Sequence, residues 1–291
     1  MASLRDLRPC RIRATENMQQ ITKAMKAVSA AKMRRAQEAV TLARPYSKRI
    51  KNVLGGVAVA SGGVRHPLLE VREPKKTAFV VLTADRGLCG GFNSNIIRRT
   101  TQEVQGVKTE FTLLAVGRKG RDFFRRRGFE IAKEYIGIGD DAQYAAARDI
   151  TSYVIDKYSA EEYDEVYLIY SQFINVLVQK PIKVKILPAE PPTEEGAAGK
   201  EKETQKVPYI FEPSAEAVLA ELLPKYIENA IYQGLLETKA GFYSAQMTAM
   251  ENATQNASEM IDNLTLTMNR ARQAQITKEI SEIVGGAAAL E

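Results

Sequence analysis

Few side chains in this 291-residue sequence could do chemistry by themselves. Its only histidine is His66, and its two cysteines are Cys10 and Cys89. A single histidine nearly excludes histidine-based metal sites and His-dependent triads. Two cysteines so far apart make neither a disulfide framework nor a zinc pattern. We therefore expect a reducing compartment and no histidine-based metal site. Cys89 has no evident base, so a small, partly buried residue is expected there rather than a nucleophile. It lies in RGLCGGFN, Arg86–Asn93, after a strand-like run and before a helix. Helix amides bind anions at such turns. The stretch matches neither GxGxxG nor GxxxxGK[ST], so a tight structural turn is favoured over nucleotide binding. Arg125-Arg126-Arg127 could hold phosphate, but at a helix end it can equally cap carbonyls, and capping is favoured. His66, beside Pro67, reads as a solvated loop residue.

The cations are unevenly placed. The net charge is +6, yet residues 1–51 hold 13 basic against 3 acidic residues, a net +10. A basic segment on a mildly acidic remainder calls for a negative partner: nucleic acid, anionic lipid or acidic protein loops. Lys23, Lys26, Lys32, Arg34 and Arg35 concentrate that charge. Mere solubility is an equally good reading of the pattern.

The elements that must carry these residues show two kinds of periodicity. Residues 2–57 are rich in helix formers. Leu7, Ala14, Ile21 and Val28 recur every seven residues, with Leu4, Met18 and Met25 as a second row that Arg11 interrupts. The phase then slips and resumes at Met33, Ala36, Val40, Ala43, Ser47, Ile50, Leu54 and Val57. Pro45 is expected to kink or break this helix, and Gly55-Gly56 to end it. Residues 76–188 alternate strands (Thr77–Thr83, Phe111–Val116, Glu130–Tyr135) with helices (from Asn93, Arg118–Arg127, Asp140–Tyr158). They close with Val166–Phe173 and Val176–Leu187 about a tight turn at Ile174-Asn175. This predicts a Rossmann-like, mostly parallel α/β sheet. Residues 189–207 read as a mobile linker. Residues 208–291 are helical again, with Pro213 and Pro224 as helix starts. Their seam has Met247, Thr254, Ile261, Met268 and Gln275 in one row, and Met250, Ala257, Leu264, Ala271 and Lys278 in the other. It shifts to Ile276, Ile280 and Ile283 before Gly285-Gly286.

Neither terminal helix can bury its narrow stripe alone. The two are expected to form a long antiparallel coiled coil, with the α/β domain between them in sequence. The seam is too polar for a permanent zipper, so a shaft held inside something else is the better expectation. Apolar residues make up 45% and charged residues 26%, which excludes a disordered chain or a collagen. No apolar run reaches membrane-span length, and MASLRDLRPC does not read as a secretory signal.

Three stretches carry a resemblance. Ile21–Ala36 (ITKAMKAVSAAKMRRA) is similar to the N-terminal signature of the gamma subunit of F-type, rotary ATP synthases. Asp85–Asn93 (DRGLCGGFN) resembles that family's central loop. Asn269–Ile280 (NRARQAQITKEI), with Glu282–Ala287 (EIVGGA), resembles its C-terminal signature. The resemblance implies a central rotor of bacterial type. Ion flow through a membrane c-ring would turn it inside a ring of alpha and beta subunits, with catalysis left to beta. It implies alpha, beta, epsilon and c-ring partners and a peripheral place on the cytoplasmic face of the inner membrane. Residue by residue, it implies that Met25 and Lys26 face the beta subunits' acidic levers and that Cys89 lies near one, and Lys23, Arg34 and Arg35 are expected to join the same lever contact by proximity. Arg272, Gln273 and Thr277 would make the upper bearing contact, and Tyr209, Phe211 and Glu212 the foot near the c-ring. The paired cysteines of chloroplast-type chains are absent, so thiol regulation is not expected, and Thr193–Gln205 reads as a lineage-specific insertion. A basic coiled-coil nucleic-acid binder and a nucleotide-dependent α/β enzyme are the competing readings.

Overall fold

A computed structural model describes residues 7–60, 66–107, 109–140, 143–189, 212 and 214–288. The elements are a π-type turn Leu7–Ile12, then α1 (Arg13–Ala60), β1 (Lys76–Leu82), α2 (Phe92–Gly106), β2 (Glu110–Val116) and α3 (Arg118–Arg126). They continue with β3 (Ile131–Tyr135), α4 (Gln143–Ser159), β4 (Glu165–Phe173), β5 (Gln179–Leu187) and α5 (Ala215–Ala288). The expected linker lies outside the described residues, apart from Ala189. That residue is buried and donates its N–H to the Leu68 carbonyl.

The chain divides into two compact units: residues 1–30 with 246–291, and residues 31–245. The boundaries expected from composition (1–57, 76–188, 189–207, 208–291) differ, because the inner parts of both long helices belong to the sheet's core. Within the larger unit the strands run in the order β3-β2-β1-β4-β5, with only β4–β5 antiparallel. Successive β1 side chains alternate faces. Ala78, Val80 and Leu82 pack against Ile150 and Val154 of α4, Leu54 and Val57 of α1, and Leu223, Ile227 and Ile231 of α5. Phe79 and Val81 pack on the other face with Ile96 and Ile97 of α2 and Phe124 of α3.

The helix ends differ from expectation for the same reason. α1 continues through Pro45 to Ala60, past Gly55-Gly56, and α5 runs through Pro224. A proline inside a helix costs about 3 kcal/mol. Val40, Ile50 and Leu54 are buried around Pro45, and Leu219, Leu223 and Ile227 around Pro224. Burying each such side chain contributes roughly 1.5–3 kcal/mol, so packing outweighs the lost hydrogen bond. Gly285-Gly286 likewise lies inside α5. The β4–β5 turn is longer than expected. Residues 174–178 form it, and β5 starts at Gln179.

His66 is no solvated loop residue. It caps a short 3-10 turn, its Nδ1 accepting the Leu68 N–H at 3.2 Å. Burial lowers its pKa from 6.5. Acceptance requires neutral Nδ1, so the cap is present above the unfolded value and is lost as pH falls through the lower folded one. As the only imidazole, His66 should give one NMR titration with a midpoint below 6.5. A midpoint above that value would contradict the cap.

Candidate functional site

In the smaller unit the two helices are antiparallel. Thr15 Oγ1 lies 3.9 Å from Met260 Sδ, Thr254 Oγ1 donates to Thr22 Oγ1 at 2.8 Å, and Ser29 Oγ donates to Gln246 Oε1 at 2.9 Å. The α1 side of this seam is Ile12, Thr15, Gln19, Thr22, Lys26 and Ser29, all buried or half-buried. This corrects the expected N-terminal row. Met18, Ile21 and Val28 are exposed, Ile21 at 60%. No phase slip occurs: stepping back by sevens from Met33 and Ala36 reaches Ile12 and Thr15 in one register. Polarity hid it. Four of these six seam side chains, Thr15, Gln19, Thr22 and Ser29, are hydroxyls or an amide, and Thr22 and Ser29 find hydrogen-bond partners on α5, whereas an apolar count follows the neighbouring stripe. On α5 the expected rows hold through Ala271. Met250 and Ala257 are buried, and Thr254, Ile261, Leu264, Met268 and Ala271 are half-buried. From Arg272 to Ala287 every residue is exposed, including Gln275, Ile276, Lys278, Ile280 and Ile283.

Among the described residues of this unit, two apolar stripes are therefore left exposed. One is Met18, Ile21 and Val28 on α1, and the other is Ile276, Ile280 and Ile283 on α5. Beside the first, Lys23 is exposed, Met25 is half-buried, and Lys26 is ion-paired with Glu251 across the seam. Arg272, Gln273 and Thr277 lie on the exposed end of α5. Tyr209 and Phe211 lie outside the described residues, and Glu212 is exposed.

In the larger unit Arg34 and Arg35 are exposed on α1. Lys32 reaches the Asp140 carboxylate at 3.6 Å, and Lys239 reaches it at 2.5 Å. The Arg86–Asn93 loop is the structural turn that was favoured. Asn93, which sequence reasoning passed over, braces it: Oδ1 accepts the Ala84 N–H at 2.9 Å, and Nδ2 donates to Arg86 O and Cys89 Sγ, each at 3.3 Å. Cys89 is buried, and burial pushes its thiol pKa up, so it is a poor nucleophile. What the loop exposes is Leu88, a non-glycine residue at φ +61°. The arginine triple is occupied locally. Arg125 pairs with Glu134, Arg126 donates to the Asp122 carbonyl at 3.0 Å, and Arg127 stacks 4.3 Å over Phe123.

Among the described residues no group of histidine, cysteine and carboxylate side chains could hold a metal ion, and no helix is long and apolar enough to cross a membrane. A polar-seamed helix pair with unpartnered apolar stripes, joined in one chain to a small braced sheet domain, defines a mechanical component of a larger assembly. A family model described as ATP synthase matches residues 3–290. The chain is 72% identical over 291 residues to the ATP synthase gamma chain of Pelotomaculum thermopropionicum, and 60% identical over 291 residues to that of Desulforamulus reducens. Each match covers 100% of both chains. It is also similar to a chain of the Tetrahymena thermophila mitochondrial ATP synthase central stalk and c-ring structure. That likeness has a TM-score of 0.60 at 26% identity, over 80% of this chain and 99% of that one. A Euglena gracilis mitochondrial ATP synthase structure shares the fold at a TM-score of 0.66 and 20% identity, over 99% of this chain and 94% of its own. The chain belongs to the ATP synthase gamma chain family.

Proposed function

We propose that this chain is the central rotor shaft of a bacterial F-type ATP synthase, coupling ion-driven rotation of a membrane c-ring to conformational change at the catalytic beta subunits. The single observation that carries this reading is the pair of apolar stripes left uncovered in the helical unit. A lone helix with an exposed isoleucine row is marginal in water, so the end beyond Ala271 calls for a sleeve, and a ring of alpha and beta subunits would supply it. Epsilon and the c-ring are the proposed partners of the foot, with Tyr209, Phe211 and Glu212 as its contacts. The proposed place is peripheral, on the cytoplasmic face of the inner membrane. As a gamma chain it is a non-catalytic subunit. Family membership leaves the nucleic-acid reading without support.

The mechanism is differential binding. A shaft moves a beta subunit only if its faces bind the subunit's conformations unequally. We assign Lys23, Met25, Lys26, Arg34, Arg35 and the Cys89 loop to contacts with beta's acidic levers, and Arg272, Gln273 and Thr277 to the upper bearing. Lys26 already has a carboxylate partner in Glu251. That pair is exposed and worth no more than about 1 kcal/mol, so Lys26 can exchange it for a lever carboxylate as the shaft turns. Replacing Lys23, Lys26, Arg34 and Arg35 together by alanine should leave ATP hydrolysis running while ATP-driven proton pumping drops in the reconstituted complex. Full pumping would remove the cationic collar from the mechanism.

A further inference from the structure

Three elements of the larger unit meet at one carboxylate, Asp140 in the β3–α4 loop. Its Oδ1 accepts from Lys239 Nζ at 2.5 Å and from the Tyr243 hydroxyl at 3.1 Å, both on α5, and its Oδ2 faces Lys32 Nζ of α1 at 3.6 Å. Lys239 Nζ also donates to the Gly139 carbonyl at 2.9 Å, and Lys32 Nζ stands 5.5 Å over the Tyr243 ring. Burial, with Asp140 beside it, pushes the Tyr243 phenol up to about 12, so it stays a donor. The loop is in turn held to the sheet. The Gly137 N–H bonds Asp85 Oδ2 at 3.0 Å, and Asp85 Oδ1 accepts the Arg118 N–H at 2.9 Å.

The cluster stands where both helices leave this unit, whose limits are Ala31 on α1 and Ala245 on α5. Among the described residues, the unit's apolar clusters reach α1 no closer to that limit than Ala36. One turn further out, α1 is tied to the loop through Lys32. A surface ion pair usually contributes little, because water screens it and two long side chains must be fixed. Two features set this one apart. The Lys239 side chain is only 18% exposed and has two acceptors. Moreover, two cations on different helices share one anion. Without that anion's charge, the site would change from attraction to repulsion between α1 and α5.

We infer that Asp140 is a positioning residue for rotary coupling: it clasps α1 and α5 to the sheet domain where the helices leave it. The inner ends of both helices and the sheet then turn as one body under load. This rests on the shaft reading proposed above and adds to it the joint through which torque passes. A couple applied to the two helices tends to part them or to roll them over the sheet. A carboxylate held between the two lysines opposes both movements, and its anchor through Gly137 and Asp85 passes the load to the ends of β1 and β3. Slack at this joint would be lost as angular spread before the shaft could bias a partner's conformation.

The test uses the assembled complex with its catalytic ring fixed and a bead on the sheet domain. The bead is attached at exposed Ser159, as Ser159→Cys in a Cys10→Ser background, since Cys89 is buried. Angular spread of the bead during a dwell reads the joint, and protons pumped per ATP hydrolysed in vesicles read coupling. Asp140→Asn should still assemble and hydrolyse ATP, while the variance of the bead angle about doubles and the pumping ratio falls about twofold. Asp140→Glu keeps the charge and should restore both. Glu162→Gln removes an exposed pair with Lys157, 2.8 Å apart at the other end of α4, and should change neither. Unchanged spread and ratio in Asp140→Asn, with pumping lost in the alanine variant of the cationic collar, would overturn the clasp alone. Equal losses in the asparagine and glutamate variants, or in Glu162→Gln, would also overturn it, since the charge at Asp140 would then not be the cause. A bead that never turns on the parent chain would take the shaft reading down with it.

Discussion

Replacing Gly117 by alanine is expected to cost more than about 3 kcal/mol, the largest single-residue loss in the sheet domain. Gly117 follows β2 at φ +91°, where a side chain is strained in any surroundings. Here there is also no room. A Cβ would lie 2.6 Å from the Thr83 carbonyl carbon, closer still to its oxygen, and 2.9 Å from Thr83 Oγ1. Thr83 cannot retreat. Its N–H and hydroxyl both bond the Val116 carbonyl, at 2.8 and 2.9 Å, and its hydroxyl accepts the Gly120 N–H at 2.9 Å. Gly120 is packed against the same hydroxyl, 2.7 Å from its own would-be Cβ. The strand ends of β1 and β2 and the start of α3 thus meet at one backbone crossing. The Gly90→Ala variant is the control. Its φ is +54° but the space around it is open, so only the conformational cost of about 1 kcal/mol applies. Thermal unfolding by calorimetry reads the difference. A midpoint for Gly117→Ala within about 2 °C of the parent would refute the crossing.

The second large effect is expected at Glu237, a carboxylate only 2% exposed. Its Oε2 accepts the Phe173 N–H, its Oε1 accepts from Gln233 at 3.0 Å, and Arg44 lies 3.8 Å away. Removing this buried carboxylate strands the buried groups that bond it. Glu237→Ala should therefore lose about 2–4 kcal/mol, since the Phe173 N–H and the Gln233 amide both lose a partner, while the half-exposed Arg44 keeps the Phe173 carbonyl and water. Glu237→Gln keeps an oxygen for the Phe173 N–H and should lose less than half as much. The same pair should separate in amide exchange. The Phe173 N–H should exchange fast in the alanine variant and slowly in the glutamine one. Equal exchange in both would mean that the carboxylate does not hold the hairpin. Burial beside Glu237 also raises the Tyr170 hydroxyl pKa, so that phenol remains neutral across the physiological range.

How much of this was legible in the residues depends on what each pattern reports. The strands of the sheet could be read because runs such as TAFVVLT are apolar enough to signal burial on both faces. The α5 seam was readable through Ala271 because Met250, Ala257 and Leu264 are apolar and keep one register. The α1 seam was misread because its packed side chains are Thr15, Thr22 and Ser29, while the more apolar Met18, Ile21 and Val28 face outward. Pro45 and Pro224 carry strong local preferences, and the core packed around them overrides those preferences. Glu237 and Asn93 left no pattern, because a single polar residue gains its meaning from partners distant in sequence.

By itself the amino-acid order determined the kind of parts this protein has: two long terminal helices, a strand-and-helix middle, a cationic leading segment and three family signatures. These are local properties of periodicity, propensity and charge, and they need no knowledge of which surfaces meet. Only the tertiary structure decided which helix face is the seam, where the chain divides into compact units, and that Leu88 rather than Cys89 is presented to solvent. Those outcomes depend on hydrogen bonds and contacts between residues far apart in the chain, whose free energies appear only when the partners are brought together.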